Sequence, residues 1–456
     1  MNQRVKCLKD VAVPKGSQYV LYWMQMSKRS EYNHALRFAA EQANSLKLPL
    51  VVYEGLKYYY PYACDRIHRF ILENSVELQR RFKEKGICYL FRLERNRRER
   101  APTVLQLCSN AALLVSDDFP AFIVPRHNQR VRARIGIPFF VVDSSGIVPL
   151  ATFNKQEYAA RTIRPKIRAL LPKLLTSFDE VPVERDSVGF KLDFQNTPLS
   201  SQKIEELTAA CDINHGIKSS PTFRGGCCDA RDKLRIFIEN KLDRYASDRN
   251  LPSVDGTSNL SPYLHFGMIS ALEVALAVKS SGKRAESVEA YLEELIVRRE
   301  LSFNFTKFNP DYESISGLPN WVQKNLARHE RDRRVRTYTL EQFEAALTHD
   351  PIWNACQHEL LRNGKIHGYM RMYWGKKIIE WSRTYAEALE TMIYLNNQYA
   401  LDGRDPNSWT GILWCFGLHD RPWRERPVFG TIRYMSGERL RRKVDVDGYV
   451  RRNSWG

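Results

Sequence analysis

QYVLYWMQMSKRSEYNHALRFAAEQANSLKLPLVVYEGL, Gln18 to Leu56, decides the fold class. Two short, nearly continuous apolar runs, QYVLYWM (18–24) and LPLVVYEGL (48–56), flank the amphipathic stretch EYNHALRFAAEQANSL (31–46). Runs of that length without alternation read as strands buried on both faces, and the stretch between them as a helix. The alternation continues through CDRIHRFILENSVELQRRFKEKG (helix), ICYLFRL, AALLVSDD and PFFVVDS (strands), ending at Ser144. Strand and helix in strict alternation predict a doubly wound parallel sheet of Rossmann-like α/β type, with helices on both faces. Ligands of such sheets sit beyond the carboxyl ends of the strands. No G-x-G-x-x-G follows the first strand, so an ordinary dinucleotide site there has no support.

At 456 residues the chain exceeds one simple core, and two domains are expected. The α/β pattern covers residues 1–150. A connection over 151–228 holds KQEYAARTIRPKIRALLP and then polar, Ser/Asp/Thr-rich sequence. From Asp229 the texture turns to long helical patterns such as DKLRIFIENKLDRYASDRN and SVEAYLEELIVRRELSFNF, so 229–456 should be all-helical. There is no internal repeat or extended low-complexity tract.

Seventy Lys+Arg against 52 Asp+Glu give a net charge of +18, which favours a polyanionic partner, nucleic acid before membrane surface. Solvated runs such as RLERNRRERA (92–101) feed the same total. Nine cysteines are scattered without a Cys/His array, which argues against zinc and for reduced, intracellular thiols. MNQRVKCLKD has no signal-peptide character, and no apolar run is long enough to span a bilayer. A protein of the cytosol or bound to DNA is expected.

Four segments carry chemistry. In SNLSPYLHFG (258–267), Pro262 suits a helix's first turn, and Ser258 and Ser261 can cap backbone donors; such an end also suits a diphosphate, against plain capping. In EELIVRREL (293–301), Glu294 is either a functional carboxylate or the partner of Arg298 at i, i+4. LNNQYALDGRDPNSWTGILWCFGLHDRPW (395–423) has turn composition yet holds Trp409, Trp414 and Trp423, which either stack on a planar ligand or pack a loop-rich core. In GYMRMYWGKKIIEW (368–381), Trp374 and Trp381 are seven apart, so they return to nearly one helix face roughly 10 Å apart. A buried aromatic stripe is the plain alternative.

Together HDPIWNACQHELLRNGKIHGYMRMYWGKKIIEWS, LDGRDPN, SNLSPYLHFG, EELIVRREL and EYAARTIRPKI closely resemble the class II cyclobutane pyrimidine dimer photolyases. The match is dense from about Lys233 to Asp445 and keeps order and spacing. The resemblance implies FAD, active in its reduced anionic form, held in the helical domain. It assigns Tyr245, Thr257, Ser258, Asn259, Leu260, Ser261 and Asp405 to cofactor binding, Arg371 and Asp402 to a salt bridge beside the isoalloxazine, and Asn396 to flavin N5. An amide can adapt its donor or acceptor to redox state, and a cation favours the reduced anion. Trp353, Trp374 and Trp381 match the family's electron-donating chain, and Glu294 its active-site carboxylate. Arg249, Asn250, Met372, Trp414, Asp420, Arg421 and Trp423 match positions around a flipped dimer or the gap it leaves, and Arg441, Arg442 and Lys443 could hold phosphates.

The implied activity is light-driven repair of cyclobutane pyrimidine dimers in UV-damaged DNA, by a monomer in the bacterial cytoplasm or a eukaryotic nucleus. The competing readings are a cryptochrome-like blue-light receptor without repair and a light-independent DNA-binding protein. A second, antenna chromophore, deazaflavin or folate, is in question. His34 stands where the family commonly has Trp, and Ser145 and Gly146 where it has His-Asn. The chain is also one residue short between Trp414 and His419, and has Gly437 and Arg439 where Tyr and Gly are usual.

Overall fold

The computed structural model describes residues 3–454. Its N-terminal part is one six-stranded sheet in the order β1-β6-β5-β2-β3-β4. The strands are β1 (Val5–Lys9), β2 (Tyr19–Trp23), β3 (Leu50–Lys57), β4 (Cys88–Glu94), β5 (Ala111–Asp117) and β6 (Phe139–Val142). Five are parallel as the alternation predicts. The sixth, β1, corrects the all-parallel reading: it lies antiparallel on β6 as an edge strand. VKCLK carries two lysines in five residues and no continuous apolar run, because an edge strand is not buried on both faces.

Alternation along β2 shows how the sheet is covered. Val20 and Tyr22 face α1 (His34–Leu46) and α2 (Asp65–Glu84), whereas Tyr19, Leu21 and Trp23 face α3 (Thr103–Cys108) and α4 (Val124–Arg132). Asn33 starts α1 by accepting from the backbone N–H groups of Ala35 and Leu36. At the switch point between β2 and β5, Asp117 accepts from the N–H groups of Gln25 and Met26 at 2.7 and 2.8 Å and from the Tyr22 hydroxyl at 3.0 Å. Protein groups therefore engage the carboxylate at the position where doubly wound sheets usually take a ligand.

Beyond β6 the described residues form helices, turns and two isolated bridges, as the long helical patterns predict. Two of those patterns are subdivided. DKLRIFIENKLDRYASDRN ends one helix at Asn240 and then forms a 3-10 turn and a short helix, Tyr245–Asp248. SVEAYLEELIVRRELSFNF runs continuously but passes through a π-helical segment, Glu293–Arg298. The turn-rich stretch from Leu395 is a further correction, since Pro406–Cys415 is a helix that carries Trp409 and Trp414.

The two parts share a core. The cluster on the α1 and α2 face of the sheet continues into Leu260, Tyr263, Phe266, Leu295, Ile296 and Leu301. A second cluster, around Trp353, Trp374 and Trp381, belongs to the helical part alone. Backbones meet closely at Gly267, whose φ of +68° and position allow no side chain: a Cβ there would stand 2.2 Å from the Met26 carbonyl oxygen. Arg66, on α2, crosses the seam and is 3% exposed. Its guanidinium donates to the Tyr399 carbonyl at 2.8 Å, Leu360 at 3.2 Å, Lys218 at 3.0 Å and Leu361 at 2.5 Å. It thus serves carbonyls in the last turns of the Pro351–Asn363 and Tyr385–Tyr399 helices.

Arg66→Ala is expected to lower unfolding free energy by about 3 kcal/mol or more, since hydrogen bonds from a charged donor contribute about 1.5–3 kcal/mol each. Arg66→Lys should recover only part, because an ammonium cannot reach carbonyls on separate helices as a planar fork does. Denaturant titration checks both; a parental midpoint for Arg66→Ala would show that the seam does not depend on it.

Candidate active site

Pro262 stands in the first turn of a short helix, Ser261–His265, as expected, but no side chain caps that helix. The capping assigned to Ser258 and Ser261 is therefore corrected. Ser261 Oγ instead donates to Asp402 Oδ2 at 2.6 Å, and Ser258 Oγ accepts from the Tyr291 hydroxyl at 3.2 Å. A buried carboxylate is a stronger acceptor than any neutral group a hydroxyl could choose, and it draws Ser261 away from its own backbone. Asn259 adopts a left-handed conformation, φ +56°, and its Oδ1 accepts from Lys365 Nζ at 2.8 Å and Thr257 Oγ1 at 3.2 Å. Leu260 is buried beneath.

Arg371, in the first turn of the Gly368–Trp381 helix, donates through Nη2 to Asp402 Oδ1 at 2.8 Å. Burial alone would push the Asp402 carboxyl up, but Arg371, Ser261 and Lys365 outweigh it and hold it below the ordinary carboxylate range. Burial pulls the Lys365 ammonium down, against the opposing pull of Asp402 and Glu359. His367 is pushed down to about 4, chiefly by burial and then by Lys365. It is therefore a neutral ring at pH 7. Both its nitrogens, Arg371 Nε, Asn397 Nδ2 and Gln398 Nε2 are buried without a protein partner. Buried polar groups without protein partners, most of them donors, beside two cations suit a polar anionic ligand. Lys365 and His367 were missed in the sequence although they lie inside a quoted motif, since nothing in their spacing marks them. Among the described residues no cluster could hold a metal ion.

Around this net, Asn396 Nδ2 donates to Asn397 Oδ1 at 3.2 Å and to Ser408 Oγ. Asp405 has two structural tasks: it caps the Pro406–Cys415 helix through Asn407 N at 2.9 Å and meets His265 Nδ1 at 3.1 Å. Tyr245 is buried edge-on to Tyr291, with ring centroids 5.1 Å apart, and the Arg249 guanidinium stands 5.8 Å over its ring.

Glu294 does not pair with Arg298 at i, i+4. Its partner is Arg249, at 2.8 Å, while Arg298 meets Glu293 at 3.5 Å. The π-helical turn is the reason, since its i→i+5 bonding puts more residues in each turn and takes residue i+4 out of line with residue i. Arg298 also lies 5.8 Å over the Trp414 ring, and Met372 is half-buried on the helix of Arg371.

The tryptophans form one chain of contacts, in an order the heptad spacing did not give. Trp353, from the Pro351–Asn363 helix, lies between the other two: parallel to Trp374 with centroids 6.5 Å apart, and edge-on to Trp381 at 6.3 Å. Trp374 and Trp381 share a helix face, but the contact between them runs through the neighbouring helix. All three are buried, Trp381 included; beyond it lie half-buried Tyr338 at 5.7 Å and exposed His349 at 4.9 Å.

Of the three loop tryptophans, Trp409 is buried, Trp414 half-buried and Trp423 exposed at 40%. Arg421 and Arg433 stand over the Trp423 ring at 5.3 and 5.2 Å, and Asp420 Oδ1 accepts from its indole N–H at 3.2 Å. Arg433 was not foreseen. A groove of about 250 Å³ beside it is lined by Trp423, Arg424, Arg426, Arg433 and Lys443. Arg441 and Arg442 are engaged by Asp447 and Glu438, and Asn250 is exposed.

The positions that depart from the family pattern are occupied by protein contacts. His34 packs edge-on to Phe178 at 4.9 Å, the Ser145 carbonyl accepts from Arg299 at 2.8 Å, and the Gly146 carbonyl accepts from Arg4 at 2.8 Å. Gly437 opens a helix, Gly437–Lys443, whose cap Ser436 accepts from Arg439 N at 3.2 Å. The cysteines are unpaired. No helix among the described residues is long and apolar enough to cross a membrane.

Comparison with known proteins identifies the family. The DNA photolyase family profile matches residues 20–184. A deoxyribodipyrimidine photo-lyase of Methanothermobacter thermautotrophicus is 41% identical over 99% of this chain and 98% of its own length. One of Arabidopsis thaliana is 38% identical over 94% of this chain and 88% of its own. A solved cryptochrome of Synechocystis shares the fold, with TM-score 0.72 at 16% identity over 97% of this chain and 89% of that one. Relatedness to the deoxyribodipyrimidine photo-lyases along nearly the whole sequence, and not in the N-terminal α/β part alone, means that this chain belongs to the DNA photolyase family.

Proposed function

We propose that the protein is a class II deoxyribodipyrimidine photo-lyase, a monomer that repairs cyclobutane pyrimidine dimers in DNA with light. In this reading residues 229–456 bind flavin and DNA, and residues 151–228 link them to an α/β domain of residues 1–150. The observation that carries it is one helix, Gly368–Trp381, which bears Arg371 in the polar net and, three residues on, Trp374 in the stacked triad.

The residues present fit FAD. Lys365 and Arg371 supply positive charge, Asn259, Ser258 and Thr257 supply polar groups beside a helix N-terminus, and Arg371 Nε is a buried donor with no protein acceptor. When bound, FAD supplies the absorption of light and the one-electron transfer that splits the cyclobutane ring and recovers the electron. The chain's own part is electrostatic and geometric. Asp402 holds Arg371 in place; Asn396, kept by Ser408, offers an amide to the ring. Arg249 and Glu294 part when an extruded dimer arrives, and Glu294 then carries a proton toward a dimer carbonyl oxygen. Trp423, with two guanidiniums against its ring, fills the gap in the duplex, while Arg421 and Lys443 meet phosphates. Trp353, Trp374 and Trp381 are the oxidisable rings that would carry electrons toward a bound flavin.

Two measurements test the reading. Trp381→Phe keeps an aromatic ring that is far harder to oxidise, so photoreduction of oxidised flavin should collapse at unchanged flavin occupancy, while chemically reduced enzyme still splits dimers. Glu294→Ala should show the reverse, with photoreduction kept and the yield of splitting lowered. Parental photoreduction in Trp381→Phe would reduce the triad to packing.

The second is salt dependence of binding to dimer-containing duplex. Affinity should fall linearly on a log-log plot with a slope of about −0.9 per phosphate neutralised. Arg421→Ala should reduce that slope by about one unit. An unchanged slope would assign Arg421 to the Trp423 stack and not to phosphate.

A further inference from the structure

Gln357 is a fully buried amide at the inner end of the tryptophan triad. Its Oε1 accepts the Trp374 indole N–H at 2.9 Å, and its Nε2 donates to the Glu344 carbonyl at 3.3 Å. An indole N–H only donates and a carbonyl only accepts, so these two partners fix which end of the amide faces the ring. Glu344 is itself held, since its carboxylate accepts from the Tyr394 and Tyr399 hydroxyls at 2.9 and 2.5 Å. The middle ring is treated alike: Trp353 Nε1 donates to the Trp374 carbonyl at 2.9 Å.

An indole that has lost an electron becomes a much stronger N–H acid. If its proton leaves, the remaining neutral radical is a weaker oxidant and no longer draws an electron from its neighbour. An amide oxygen and a backbone carbonyl each accept a hydrogen bond but take up no proton at neutral pH. Trp374 and Trp353 are both held by such acceptors, whereas Trp381 faces His349 and Tyr338.

We propose that Gln357 is a positioning residue of the electron relay. It fixes the Trp374 ring in its parallel stack on Trp353 and keeps the proton on Trp374 while an electron is missing. This rests on the relay reading above. One electron passes from the Trp374 ring to photoexcited oxidised flavin; Trp353 and then Trp381 make it good in turn, with no proton moving at the inner two rings. Trp381, at the outer end, regains its electron from a thiol in solution, which is left as a thiyl radical as its proton passes to solvent.

The test uses flavin-loaded full-length protein. In Gln357→Leu the ultraviolet resonance Raman marker of a hydrogen-bonded indole should lose the intensity of one ring, and the initial photoreduction rate should fall at least threefold at equal flavin occupancy. Loss of the marker with a parental rate overturns the proposal. Should that variant fail to fold, Trp353→Phe isolates Trp374 as donor, and its transient spectrum should be that of a protonated tryptophanyl radical. Adding Gln357→Glu supplies a proton acceptor; the neutral radical should then appear and charge separation last at least tenfold longer. Identical spectra and lifetimes overturn the proposal. Trp374→Phe separates the two levels: parental photoreduction there sinks the relay itself, whereas its collapse beside an unaffected Gln357→Leu sinks only the role of Gln357.

Discussion

Helix ends leave carbonyls without partners, and burying such ends requires a donor from elsewhere. Arg66 is that donor. Its planar guanidinium reaches the ends of the Pro351–Asn363 and Tyr385–Tyr399 helices at once from α2, in the α/β part. Those two helices carry Trp353 and Asn396. A further bond, from Leu401 N to the Gly364 carbonyl at 2.8 Å, ties their following turns together. The position of the middle tryptophan relative to the Asp402 turn therefore depends on Arg66, which bonds a carbonyl 294 positions further along the chain. Positive charge at a helix C-terminus is also favourable electrostatically.

The site built on this frame is an excess of buried donors around few acceptors. Asp402 accepts from Arg371 and Ser261, and Asn259 from Lys365, yet donors on Arg371, His367 and Asn397 stay unmatched within the protein. Leaving such groups unpaired costs about 1–3 kcal/mol each, so a ligand that accepts from them gains that much advantage. The same imbalance explains why Ser261 turns from its helix to Asp402. Glu294 shows the other side of the design. Its partner Arg249 lies in the turn after the Tyr245–Asp248 helix, so the pair joins two separate elements.

Seven-residue spacing described a stripe, but contact between rings depends on their separation and not on the face of a helix. Trp353 closes the distance by stacking against Trp374 and meeting Trp381 edge-on, and the hydrogen bonds of the inner indoles run to Gln357 and to the Trp374 carbonyl. None of these partners is adjacent in sequence to the ring it serves.

By itself the sequence determined the α/β alternation, the helical remainder and the segments that meet at the site, because hydrophobic period and turn chemistry are local properties of the chain. Arg371 with Asp402 was legible through family resemblance and is a salt bridge in the structure. The edge strand β1 was not legible, because pairing on one side alone needs no apolar run. Nor were the π-helical turn that hands Glu294 to Arg249, the order of the tryptophans, or the roles of Lys365, His367, Gln357 and Arg433. Each of these depends on which groups from distant segments are left unsatisfied when the helices pack, and only the tertiary structure decides that.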